Sequence, residues 1–164
     1  MVAKASDSTP RVSQAQFDRL TGGTRDDWRK WNRRGLVDKP SGGYSWVQIL
    51  AALGLTALEE AVGIEGVVHC WDDVRADLLS HVQAQALDLV VDPGVSAASR
   101  PRLRAFISTS DRRTAALARN ARHPHVLPLA DVVAAAREEF ERATDRARAH
   151  ADPGTSANTE AAAG

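Results

Sequence analysis

Apolar side chains recur at helical steps through the middle of this chain, and past residue 86 the period shortens to that of strands. From residue 64 to 83, Ile64, Val67, Val68, Trp71, Val74, Leu78, Leu79 and Val82 stand three or four positions apart, which predicts an amphipathic helix. Its opposite face carries Asp72, Asp73 and Asp77, read as a solvated face. A rival reading makes VVHC (67–70) a strand, but the helical period is unbroken over about five turns. Upstream, Ser45 and Gln48 have the spacing of a capping box. They open a helix through WVQILAALGLTALEEAV, where Gly54 marks an expected bend or break. Downstream, LDLVVDPG and RLRAFIS predict two short strands. Ser110 or Asp111 caps a helix through RRTAALARNAR, and HVLPL predicts a third strand. Leu129, Val133, Ala136, Phe140, Ala143 and Ala147 then alternate steps of four and three, a heptad seam on a helix over residues 129–149.

The segment TRDDWRKWNRRGLVDKPSGGY (24–44) differs from the rest in its density of cations beside aromatic rings. Thr24 is the expected N-cap, with Asp27 three residues on to complete a capping box. Asp26 and Asp27 sit where the helix dipole favours negative charge. Gly35 supplies the left-handed stop. Between these ends Arg25, Arg29 and Arg33 fall at four-residue spacing along one face, and Trp28 and Trp31 point to the other. A short hairpin or wing closing at Gly42–Gly43–Tyr44 is expected to follow.

The run WRKWNRRGLV, with GGYS after a short loop, resembles the N-terminal winged helix-turn-helix of MerR-type transcription regulators. Trp28 stands at the family's leucine place and Arg29 at its arginine. Lys30 and Trp31 occupy the two aromatic places, and Gly35–Leu36 match the terminator. The segment SQAQFDRLTGGT matches the first helix and turn, with Phe17 and Leu20 as core residues. The resemblance covers roughly residues 12–62. It implies a DNA-binding transcription regulator of bacterial or phage type whose helix from Arg25 lies in the major groove. Thr24, Arg25, Arg29, Lys30, Arg33, Arg34 and Tyr44 are its expected DNA-binding residues. Two alternatives remain: an architectural DNA-binding protein of the excisionase type, and a non-enzymatic adaptor whose basic helix meets an acidic partner.

The expected architecture is α+β and mostly helical: a winged helix-turn-helix (12–62), a long helix, a small three-stranded β-β-α-β module, and a C-terminal helix. Residues 63–152 form the dimerisation or sensing module, between a disordered lead-in (1–11) and tail (153–164). With 164 residues and 43% hydrophobic content a packed core is affordable.

The zero formal charge hides two basic blocks, residues 11–44 and 93–128, separated by an acidic one. In the second block Arg100, Arg102 and Arg104 alternate along a strand, followed by Arg112, Arg113, Arg119 and Arg122. It is read as a solvated or acid-paired face, with a DNA-backbone contact as the alternative.

A single cysteine, Cys70, excludes an internal disulfide and points to a reducing cytoplasm. No apolar run reaches eighteen residues, so no membrane partner is expected. The polar corner Ser108–Asp111 is read as a helix cap, His123 and His125 as loop residues, and Cys70 beside His69 as no metal site, since neighbours on a helix diverge by about 100°. No catalytic constellation and no cofactor are expected. A homodimer through the 129–149 seam is expected, because one recognition helix reads only a few base pairs; the alternative is a seam that packs inside its own chain against the 64–83 helix.

Overall fold

Local signals set most helix ends here, and long-range packing decides how the helices meet. The computed structural model describes residues 9–38, 40, 42–81, 87–92, 103–120 and 124–151. In order these form α1 (Gln14–Thr21), α2 (Arg25–Arg33), α3 (Trp46–Ser80), β1 (Asp88–Asp92), β2 (Arg104–Ser108), α4 (Asp111–Asn120), β3 (His125–Pro128) and α5 (Ala130–Ala151). The chain is α+β and mostly helical, as its pattern predicts. Residues 1–8 of the expected lead-in, the expected tail, and Lys39, Val82, Arg100, Arg102, Arg122 and His123 lie outside the described residues. Arg11, placed by its sequence in the lead-in, instead donates to the Gly43 carbonyl at 3.1 Å.

α1 starts on a complete capping box between Ser13 and Gln16. Among the described residues the loop after α2 forms no hairpin. Tyr44 pairs backwards with Val12 in a single antiparallel bridge, which closes the loop onto the strand-like residues before α1.

α3 is two helical limbs that fold back on each other. The break is at Gly63, with φ 70 and ψ 167, a region of the backbone map open essentially to glycine alone. Gly54, the expected break, is helical and serves another purpose. A Cβ there would lie 2.8 Å from Leu78 Cδ2 and 3.7 Å from the Trp71 ring, so its missing side chain lets the two limbs approach. In an unbroken helix Gly54 and Trp71 would be about 25 Å apart. The first limb, the most apolar stretch of the chain, is covered on almost every side, with Ile49, Leu50, Ala52, Leu55 and Leu58 fully buried. In the second limb Val67, Cys70, Trp71, Val74 and Leu78 are buried, whereas Val68, expected on the same stripe, is 46% exposed. Cys70 takes the inward position instead.

The sheet has β1 in the centre with β2 and β3 antiparallel on either side. Leu89 lies opposite Ile107 and Leu127, and this face joins the core beneath α3. α4 covers the other face, where Thr114 donates to Asp88 at 2.8 Å.

α5 packs on α1 and α3. Its expected dimer seam is thereby occupied within the chain: Leu129, Val133, Ala136, Phe140 and Ala143 are buried, and only Ala147 at the far end is exposed. Phe140 meets Trp46 with ring centroids 5.7 Å apart. The seam spacing is the same for an inter-chain and an intra-chain partner, which is why periodicity could not separate them.

Three substitutions at two positions test this packing. Gly63→Ala should lower unfolding free energy by about 1–3 kcal/mol in denaturant melts, although a Cβ there touches nothing, because the cost is conformational; a neutral result would contradict the sharp reversal. Phe140→Ala should cost about 3–5 kcal/mol, and Phe140→Glu should lose its cooperative melt. A folded Phe140→Glu protein that sediments at a lower mass than wild type would return the seam to a dimer interface.

Candidate nucleic-acid interface

Nine residues of helix cannot hold themselves together in water, so α2 owes its position to its caps and its buried face. At the start, Thr24 Oγ1 accepts from the Asp27 N–H at 3.2 Å while Asp27 Oδ2 accepts from the Thr24 N–H at 2.9 Å. At the end, Gly35 turns left-handed at φ 71. Its N–H reaches the Asn32 carbonyl, and the Leu36 N–H reaches the Trp31 carbonyl, each at 3.0 Å. This paired closure stops the helix within one residue.

The buried face is aromatic. Trp28 and Trp31 are 5% and 2% exposed. Trp28 sits edge-on to Phe17 of α1 at 5.1 Å and to Tyr44 at 5.2 Å, while Phe17 and Tyr44 stack at 4.1 Å. Trp31 instead points its indole N–H at Glu59 of α3, 2.8 Å away. Beyond the helix, the buried Trp71 N–H donates to the Leu36 carbonyl at 2.7 Å. α2 is therefore held along its length by α1 and by the first limb of α3, and the turn that follows it is held by the second limb.

The opposite face carries Arg25, Arg29 and Arg33, all exposed, as the four-residue spacing predicts. Among the described residues Arg25 and Arg33 make no ion pair, and Arg29 has only the exposed pair with Asp26 at 3.2 Å. Arg34, at the C-cap, is exposed and lies 3.9 Å from Glu65. Thr24 is exposed, with its hydroxyl engaged by Asp27 at 2.8 Å.

Two of the expected site residues lie elsewhere. Tyr44 is a core residue, 4% exposed, whose hydroxyl donates to Gln14 Oε1 at 2.6 Å; burial pushes its pKa up. Lys30 turns away from the arginine face to Glu59 at 2.7 Å and Asp27 at 3.1 Å. Glu59 and Gln14 carry no sequence signal for these contacts, and the spacing that puts Trp71 on a buried stripe does not reveal its bond to Leu36. Each of these partners is 28 or more positions away.

The other candidate chemistry is internally engaged or stands apart from this face. The Cys70 thiol is pushed up to about 11 by burial and then by the charge of Asp73, and it donates to the Gly66 carbonyl. Among the described residues no three metal-ligating side chains gather. At the Ser108–Asp111 corner, Ser108 donates to the Ser110 carbonyl and the Ser110 hydroxyl accepts from the Arg113 N–H. Arg104, Arg112, Arg113 and Arg119 of the second basic block are exposed and form no ion pair among the described residues; the acid pairing expected with Asp72, Asp73 and Asp77 is not found there.

Compared with models of protein families and with curated proteins, the chain matches none.

The Thr24–Asp27–Lys30–Glu59 network should be visible in the pH dependence of folding. The Thr24 N–H, and then its hydroxyl and Lys30, hold the Asp27 carboxyl below its ordinary value, while the bond to Glu59 and then that to Asp27 raise Lys30 above its own. A depressed carboxyl contributes stability above its unfolded pKa that is lost as pH falls through the folded value, here below about pH 4. A raised ammonium contributes fully below its unfolded pKa, and the contribution is lost on the alkaline side, above about pH 10. Thermal melts across pH should therefore show Asp27→Asn flattening the acid limb and Lys30→Met the alkaline limb. Unchanged limbs in both variants would remove the network from the stability of the fold.

Proposed function

We propose that this chain is a DNA-binding transcription regulator in which α2 enters the major groove of duplex DNA, as the recognition helix of a MerR-like winged helix-turn-helix. One observation carries the reading: α2 divides into a buried aromatic face locked to three other elements and an exposed face of three arginines. A helix held this rigidly presents its guanidinium groups from a fixed platform, as groove recognition requires. Its nine residues span about 13 Å, comparable to a major groove about 12 Å wide.

Each arginine can offer a planar pair of N–H donors to the O6 and N7 acceptors of guanine, or to a phosphate. The competing Asp26 contact to Arg29 is exposed and on the helix itself, a kind of pair worth no more than about 1 kcal/mol. It yields to a bidentate base contact. In this reading Arg34, exposed just past the helix end, contacts the backbone, and Thr24 borders the N-terminal end of the helix. Tyr44 and Lys30 act indirectly, by holding the loop and the helix. One such helix reads few base pairs, so a second copy supplies the second half-site. Since α5 spends its seam inside the chain, the two copies meet through another surface.

Selection of binding sequences from a pool of randomised duplexes tests this reading. The wild type should enrich one motif. On the enriched duplex Arg29→Ala should lose about 1–3 kcal/mol of binding, roughly 5- to 150-fold, with its thermal melt unchanged. No enrichment, or an Arg29→Ala protein that binds as tightly as wild type, would reject α2 as the reading helix.

A further inference from the structure

We propose that Glu59 is a specificity-determining residue, which holds Lys30 on α3 and thereby keeps one cation of α2 away from the DNA backbone. The inference rests on the reading of α2 as a recognition helix and adds a residue outside that helix. Lys30 follows Arg29 directly and lies about 100° around the helix from it. Its position is thus the border between the arginine face and the buried face, where a flexible four-carbon stem could swing its ammonium to a flanking phosphate.

The structure places it otherwise. Lys30 Nζ lies 2.7 Å from Glu59 Oε1, and the other oxygen of the same carboxylate accepts the Trp31 indole N–H at 2.8 Å. The Glu59 side chain is 24% exposed and that of Lys30 30%, so the pair is partly shielded from water and salt. Trp31, which is 2% exposed, orients the carboxylate and leaves one oxygen for the lysine. Lys30 Nζ also lies over the Trp31 ring, 5.8 Å from its centroid. The second partner, Asp27 at 3.1 Å, is more exposed and already accepts two hydrogen bonds from Thr24 through its other oxygen. A pair three residues apart on one helix adds little, so it holds the lysine less firmly than Glu59 does.

The consequence concerns affinity for any sequence. Each phosphate neutralised adds about 0.9 to the slope of log affinity against log salt, which is roughly eightfold in affinity at 0.1 M salt and carries no sequence information. Keeping Lys30 on Glu59 withholds that increment from every non-cognate duplex. The arginines are left to discriminate.

The test measures salt dependence of binding to a random-sequence duplex and to the duplex enriched by the wild type. Glu59→Gln removes the charge that holds Lys30 and keeps an oxygen that can accept from Trp31. Its slope on the random duplex should steepen by about 0.9, with tighter non-specific binding and a smaller ratio between the two duplexes. Lys30→Gln should leave the slope at the wild-type value, and so should the double variant. An unchanged slope in a folded Glu59→Gln protein, or a slope that falls by about 0.9 in Lys30→Gln, would overturn the role of Glu59 while leaving α2 as the DNA-binding helix. If Glu59→Gln does not fold, the Lys30→Gln slope alone decides. A wild type that binds neither duplex would overturn the reading of α2, and this inference with it.

Discussion

The contact on which the arrangement depends is the three-ring cluster of Phe17, Trp28 and Tyr44. Each ring comes from a different short element: α1, α2 and the loop that returns to Val12. The rings meet at centroid distances between 4.1 and 5.2 Å. Helices of eight and nine residues have little independent stability, and among the described residues the loop between α2 and α3 forms a single β-bridge, Val12 to Tyr44. Burial of these rings makes one body of three pieces that would each fray alone. Aromatic pairs in such geometry add about 0.5–1.5 kcal/mol beyond the area they bury, a large increment for elements this small. The same burial turns the other face of α2 outward.

α3 extends that constraint through the rest of the chain. Its first limb carries Glu59 to the middle of α2, and its second limb carries Trp71 to the end of α2, where the indole satisfies the Leu36 carbonyl. The second limb also rests on β1 and β2, and α5 returns over α1 and the start of α3. One continuous set of buried residues runs from Val12 to Ala143. Among the described residues, the buried side chains behind the arginine face are continuous with those of the sheet and α5. The reversal at Gly63 is what makes this possible, because a straight α3 would carry Trp71 well away from the first limb.

Sequence alone determined the features whose cause lies within a few residues. The Thr24–Asp27 box, the glycine closure at Gly35, the division of α2 between Trp28 and Trp31 on one side and the arginines on the other, and the order of strands and helices after residue 86 all follow from capping chemistry and periodicity, and all are present in the fold. These signals are local, and so they survive whatever the chain does elsewhere.

Tertiary structure decided everything that depended on which surfaces meet. A glycine's spacing does not say whether it bends a helix or admits a neighbour: Gly54, expected to bend or break its helix, instead admits the second limb, and the reversal falls at Gly63. A heptad seam is the same for a partner chain as for a neighbouring helix, and Phe140 found Trp46 of its own chain. Tyr44 and Lys30 carry the residue types of a nucleic-acid surface, yet one is drawn into the core by Phe17 and Gln14 and the other is turned by a carboxylate 29 positions away. In each case the deciding partner is remote in sequence and brought close only by folding, so no pattern along the chain could name it.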